Sequence, residues 1–161
     1  TTIKEGEAFD DWGKVMTVKD LDGKSISTAD YKGKIVLIDF WATWCGPCIK
    51  DMPEVIKLYE ELHEQGFEII GISFDNKVGG QALRDTIAGK GKSKLAEVPW
   101  RQIYDGGLWS SGMAKRYGIN SIPRTVLLDA EGKVAADGLR GAKLSAKVRE
   151  LVAALKPAES K

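Results

Sequence analysis

The sequence predicts an α/β architecture, a central mixed β-sheet flanked by helices, and three observations lead to it. Apolar, β-branched runs at 35–41 and 67–74 have the length and composition of strands buried on both faces. Between them, over 47–65, apolar residues recur at helical spacing, so strand, helix and strand form a right-handed crossover with parallel strands. Further on, 125–128 and 133–139 flank Glu131-Gly132 and read as a strand turned back on itself, giving the sheet an antiparallel edge. For 161 residues one hydrophobic core suffices, so a single domain is expected over 1–161, with its core at about 35–155.

Taken in order, the first element is an N-terminal β-hairpin at about 14–28. Val15-Met16-Thr17-Val18 and Lys24-Ser25-Ile26-Ser27 flank Asp22-Gly23, a pair that tolerates the positive φ of a tight turn. The strand at 35–41 follows. In the helix after it Ile49, Met52, Ile56, Tyr59 and Leu62 share a face, Pro53 introduces a kink, and Gly66 stands where the helix should stop. After the second strand an inserted segment at about 75–98 separates the two halves of the sheet. Its glycines and lysines read as a mobile surface excursion, with one helix near 81–87. A short strand at 100–104, a short helix at 111–117 and the strand pair precede a closing amphipathic helix at 143–155, with Leu144, Val148, Leu151, Val152 and Leu155 on one stripe.

Composition excludes several classes of function. Apolar residues make up 43% and charged residues 29%, which is ordinary for a folded soluble chain and not for a disordered one. Basic and acidic residues number 24 and 23, so the one-signed field that would hold a phosphate backbone is missing and no nucleic-acid partner is expected. No apolar run approaches the roughly 18 residues needed to span a bilayer, and the run at 35–41 is broken by Asp39. The chain begins at Thr1 without an apolar leader, and it reads as a processed product or a domain from which a signal or anchor was removed. Its two cysteines, Cys45 and Cys48, are too few for a disulfide framework, which leaves catalysis or metal binding.

Cys45 falls where a buried strand has ended and a helix begins, beside amide N–H groups that have no intrahelical partner. Such a site favours the thiolate, the species that reacts in disulfide exchange. Lowering a cysteine pKa from about 8.5 toward about 7 raises the ionised fraction from a few per cent to about half, a difference of about 2 kcal/mol. Because nucleophilicity falls with pKa, the net gain in attack is about threefold; the larger effects are a better leaving group and a stabilised reduced form. Cys48, one helical turn deeper, can meet the first sulfur on the same face and resolve a mixed disulfide. Structural zinc would need two more ligands, yet no other cysteine is present and His63 is the only histidine.

Ile38-Asp39-Phe40-Trp41-Ala42-Thr43-Trp44-Cys45-Gly46-Pro47-Cys48 closely resembles the active-site segment of thioredoxins. Pro53 matches that family's helix-kinking proline, and Ile122-Pro123 resembles its cis-proline loop, so the likeness extends over about 35–155 and implies a thioredoxin-like fold. Within the superfamily the chain is most similar to the TlpA/ResA group. The N-terminal hairpin, the inserted segment, and the run from Tyr117-Gly118-Ile119 through Pro123 to Leu128-Asp129-Ala130-Glu131-Gly132-Lys133 carry that likeness. Asp51 stands where the group often has an active-site glutamate; it reads either as that functional acid, shortened, or as a solvated charge on the helix.

The resemblance implies a redox-active Cys45–Cys48 disulfide as the working group, with no further cofactor and no metal. It also implies that Asp39 moves protons to and from Cys48. A carboxyl in an apolar strand has its pKa raised by desolvation, which suits that task; the other reading of Asp39 is a structural acid satisfied by hydrogen bonds. Trp44, Gly46 and Pro47 would form the docking surface, and a cis bond before Pro123 would offer the Ile122 backbone as an edge for a substrate strand, unless Pro123 is an ordinary trans turn proline. Arg124 places a positive charge near the sulfurs. Trp41 reads equally as core or site, while Trp12, Trp100 and Trp109 read as core or loop packing.

The expected activity is reduction of protein disulfides by dithiol–disulfide exchange, in a monomer. By resemblance the setting is extracytoplasmic, periplasmic in a bacterium, with apocytochrome c or another extracytoplasmic thiol protein as substrate and an upstream dithiol donor, either membrane-bound or not. Gly46-Pro47 resembles the reducing members of the superfamily. The alternatives are an oxidase or isomerase of the same fold, and a copper-delivery module, whose wider cysteine spacing and distant histidine are missing here. A thiol peroxidase is disfavoured because the proline and threonine that precede its reactive cysteine are absent before Cys45.

Overall fold

In the computed structural model, which describes residues 2–155, one five-stranded mixed sheet organises the chain. The elements are β1 (Ile35–Trp41), α1 (Gly46–Leu62), β2 (Phe67–Ser73), α2 (Gly80–Ile87), β3 (Arg101–Tyr104), α3 (Gly112–Tyr117), β4 (Arg124–Leu128), β5 (Val134–Asp137) and α4 (Gly141–Ala153). The strand order is β3-β2-β1-β4-β5. β1 is parallel to β2 and β2 to β3, whereas β4 runs antiparallel to both β1 and β5. This is the thioredoxin-like arrangement the sequence predicts.

The central position of β1 explains its composition. All seven of its residues are buried, because strands flank it on both edges and helices cover both faces, so no position calls for a polar side chain. α1 and α4 pack against each other on the face carrying Leu37 and Asp39, where Leu144 of α4 meets Asp39 and Met52 across a shared cleft. Phe40, pointing the other way, meets Tyr117 of α3 with ring centroids 6.4 Å apart. Gly66 ends the first helical segment in the left-handed region at φ 104°, and a Cβ there would lie 2.7 Å from Leu155.

Two segments differ from the sequence expectation. The N-terminal hairpin turns at Asp22-Gly23 as expected, with Gly23 at φ 81°, but its arms form no regular strands. Their pairing is a single bridge between Lys19 and Ser25, flanked by hydrogen bonds from Asp20 N to Lys24 O and from Ile26 N to Val18 O. The arms are tied down by side chains instead. Asp20 accepts from the amides of Asp22 and Lys24 and from Arg101 of β3.

The segment after β2 is packed, not an excursion over the surface. Leu83 of α2 is fully buried, Thr86, Leu95 and Val98 are also buried, and Val98 N donates to Ile87 O. Its anchor residues are few and separated by lysines and glycines, so their pattern is weak in the sequence. Among the described residues no helix is long and apolar enough to cross a membrane.

Candidate active site

The chain leaves β1 at its carboxyl end, where open α/β sheets gather reactive groups, and Ala42, Thr43 and Trp44 carry it to the start of α1. Cys45 is the N-cap of that helix, in extended conformation, and its Sγ accepts a hydrogen bond from Cys48 N at 3.3 Å. Pro47 sits in the first turn, where its missing N–H costs nothing. Cys45 and Cys48 are joined as a disulfide. Both are buried, 5% and 3% exposed, while Trp44 beside them is 52% exposed. Space above Gly46 is open.

Asp39 lies in the middle of β1, paired in register with Gly71 of β2 and Thr125 of β4. It is buried and lines, together with Cys48, Asp51, Pro123, Thr125 and Arg140, a cleft of about 140 Å³. Burial, and behind it the charge of Asp51, pushes its carboxyl up from 3.8 to about 7.

Asp51 is one turn beyond Cys48 and accepts from Arg140 Nε at 2.6 Å, so it is an ion-paired group at the cleft and not a free solvated charge. That bond holds the Arg140 guanidinium above its ordinary pKa. The Ile122–Pro123 peptide bond is cis, and Pro123 borders the same cleft as Cys48 and Asp39. Cys48, Asp39, Asp51 and Pro123 are therefore brought together in one cleft, while Trp44 and Gly46 lie at the surface. Arg124 is directed elsewhere: it makes two hydrogen bonds to Asp137 at 2.9 and 2.8 Å, which raise its own pKa and neutralise the charge expected near the sulfurs. Among the described residues no three potential ligand side chains gather as a metal site.

Sequence reasoning missed Asp75. This buried carboxylate accepts from Thr43 N at 3.2 and 3.3 Å, from the Thr43 hydroxyl, and from Ser73 Oγ at 2.7 Å. It thus braces the loop that presents Cys45. An acid just past the carboxyl end of a buried parallel strand was the available signal. Trp41 proves to be core: it is fully buried and donates its indole N–H to Gln102 Oε1 at 2.9 Å. Trp12 and Trp100 are also buried, whereas Trp109 is 42% exposed and meets Trp44 edge-on, with centroids 6.3 Å apart.

Comparison with known proteins agrees with this geometry. Residues 11–137 match the model of the AhpC/TSA family. A protein named thiol-disulfide oxidoreductase ResA from Bacillus thuringiensis is 34% identical over 142 residues, covering 88% of this chain and 75% of the relative. The ResA of Bacillus subtilis is 28% identical, covering 90% and 74%. Among solved structures, the thioredoxin domain of a thiol-disulfide oxidoreductase from Bacteroides vulgatus superposes with a TM-score of 0.74 at 31% identity, over 93% of this chain and 99% of that one. A thiol-disulfide oxidoreductase from Bacteroides fragilis gives 0.70 at 26% identity, over 92% and 99%.

Proposed function

The chain belongs to the AhpC/TSA family of thioredoxin-like proteins, and from that premise we propose that it is a thiol-disulfide oxidoreductase that reduces disulfides in other proteins through Cys45. The observation that carries this reading is the position of Cys45 Sγ at the N-cap of α1, with Cys48 a turn deeper in the cleft that also holds Asp39. In the reduced protein the Cys45 thiolate is stabilised by the Cys48 N–H and the helix terminus. It attacks one sulfur of the substrate disulfide, forming a mixed disulfide and releasing the other substrate sulfur as a thiolate that takes up a proton. Cys48 then gives its proton to the Asp39 carboxylate and attacks Cys45 Sγ. The intramolecular disulfide closes, the second substrate thiol leaves, and two electrons have passed to the substrate.

Trp44, Gly46 and Pro47 form the surface around the attacking sulfur, and the Ile122 backbone beside Pro123 is the edge for the substrate chain. Asp51 is a positioning residue that raises the proton affinity of Asp39. Kinship with ResA-type proteins supports the finer reading: an extracytoplasmic protein of a bacterium, acting as a monomer, with apocytochrome c or a similar thiol protein as substrate and a membrane-bound dithiol as electron donor.

Two measurements test this. Cys48→Ser, unable to resolve, is expected to accumulate a mixed disulfide through Cys45, and Cys45→Ser to trap nothing; equal trapping by both would reverse the roles. A reduction potential near about −270 mV fits a reductase, whereas one near about −120 mV would make the protein an oxidant.

A further inference from the structure

Among the described residues the exposed large hydrophobic side chains are Val15, Trp44, Val78 and Trp109, and two of these four stand against each other beside the reactive disulfide. Trp109 meets Trp44 edge-on, and it also meets the fully buried Phe74 edge-on, at a centroid distance of 5.4 Å and 73° between planes. Phe74 in turn precedes Asp75, which braces Thr43. The exposed pair and the Cys45 loop thus share one foundation at the end of β2.

The loop that presents Trp109 is held in place at several points. Leu108 sits at φ 50°, a left-handed conformation unfavourable for a side chain of its shape. Asp105 holds the loop from both ends, accepting from Gly107 N at 2.8 Å and Gly112 N at 2.9 Å. Gly107 bridges to Asn76, and Tyr104 donates to Asn76 O at 2.7 Å. Gly106, at φ 76°, lets the backbone pass Lys77, whose Cα would lie 3.1 Å from an added Cβ. Hydrogen bonds on either side of the strained leucine thus hold the loop that presents the half-exposed Trp109.

We propose that Trp109 and Trp44 form an aromatic ledge that holds an apolar side chain next to the reacting cysteine of a polypeptide substrate, and that Trp109 thereby sets a preference among protein disulfides. The ledge is continuous with the reactive sulfur, because Trp44 is the residue before Cys45. Its two π-faces and edges offer contact to aliphatic or aromatic groups and no charge to select by. A small disulfide reaches Cys45 without extending to Trp109. This inference rests on the disulfide-reductase reading above and adds a specificity determinant to it.

The test uses two disulfide-linked peptides that differ only in the residue beside the cysteine, leucine in one and serine in the other, with 2-hydroxyethyl disulfide as a small reference. For the reduced wild type, kcat/KM for the leucine peptide should exceed that for the serine peptide by about fivefold, the size of one well-placed aromatic contact. In Trp109→Ala that ratio should fall to about one, mainly through KM, and Trp109→Phe should restore most of it. A wild type that does not distinguish the peptides would overturn the proposal. So would a Trp109→Ala variant that slows the peptides and the small disulfide by the same factor, since that marks a disturbed disulfide and not a lost contact. Failure of the wild type to reduce any of the three would remove the reductase reading itself, a result distinguishable from both.

Discussion

The Asp75 carboxylate collects donors from two segments that meet at the carboxyl end of the sheet, the Thr43 amide and hydroxyl from the active-site loop and the Ser73 hydroxyl from β2. Truncation would leave those groups without their acceptor, at about 1–3 kcal/mol for each one that stays buried and unpaired. Asp75→Ala is therefore expected to lower Tm by about 5–10 °C, and Asp75→Asn, which keeps one acceptor oxygen, by less than half as much. Thermal unfolding of the oxidised proteins checks this, and an unchanged Tm in Asp75→Ala would remove the brace from the account. The contrast with Cys45, Cys48, Asp39 and Pro123 shows which candidate site residues a sequence brings forward. Those four lie in or beside local patterns with a chemical reason of their own, a thiol pair at a helix start, an acid inside an apolar run, a proline ahead of a strand. Asp75 acts on Thr43 from 32 positions away, and Trp109 reaches Trp44 across the fold, so only tertiary structure brings them to the site.

The elements were legible wherever burial imposed a long, regular pattern. β1, α1, β2 and α4 carry such patterns, and their positions follow from hydrophobic spacing and from Gly66 as a stop. The N-terminal arms were not, because alternating residues and a good turn dipeptide do not supply a partner strand; side-chain ties from Asp20 and Arg101 replace the ladder. β2 holds a further constraint that its sequence conceals. At Gly71 an added Cβ would lie 2.0 Å from Oε1 of Gln102, whose buried side chain crosses that position and accepts the Trp41 indole proton. Gly71→Ala must push Gln102 aside and break that hydrogen bond, a cost of about 2–3 kcal/mol. Denaturant unfolding should show this loss. Adding Gln102→Ala removes the collision, so the double variant should be less destabilised than the sum of the two single changes; strict additivity would mean that the two side chains do not compete for one space.

At the scale of the whole molecule, the same burial that raises the Asp39 carboxyl opposes folding at neutral pH. Its carboxyl titrates at about 7 in the folded protein against an ordinary value of 3.8. Between those values the folded chain keeps a proton that the unfolded chain has released, so the number of protons bound is larger in the native state and stability falls as pH rises. The contribution of the protonated acid is fully present below about pH 4 and is lost by the time pH has passed about 7. At about 1.4 kcal/mol per pH unit the window corresponds to at most about 4 kcal/mol. Asp39→Asn has a similar shape and no charge to bury, so it should unfold at higher denaturant than the wild type at pH 8 and match it near pH 3.5. Comparing the two proteins, both oxidised, across that range isolates this acid from ion-paired groups such as Asp10 and Asp20, whose carboxyls are held low and favour the native state at higher pH. A difference that is constant with pH, or largest in acid, would show that Asp39 is not held neutral by its surroundings. If Asp39 accepts the Cys48 proton as proposed, the stabilised variant should also resolve the Cys45 mixed disulfide more slowly and lose the inflection near pH 7 in that step. Stability gained and turnover lost at one position would then have a single cause, a carboxyl placed in the central strand where its charged form is least welcome.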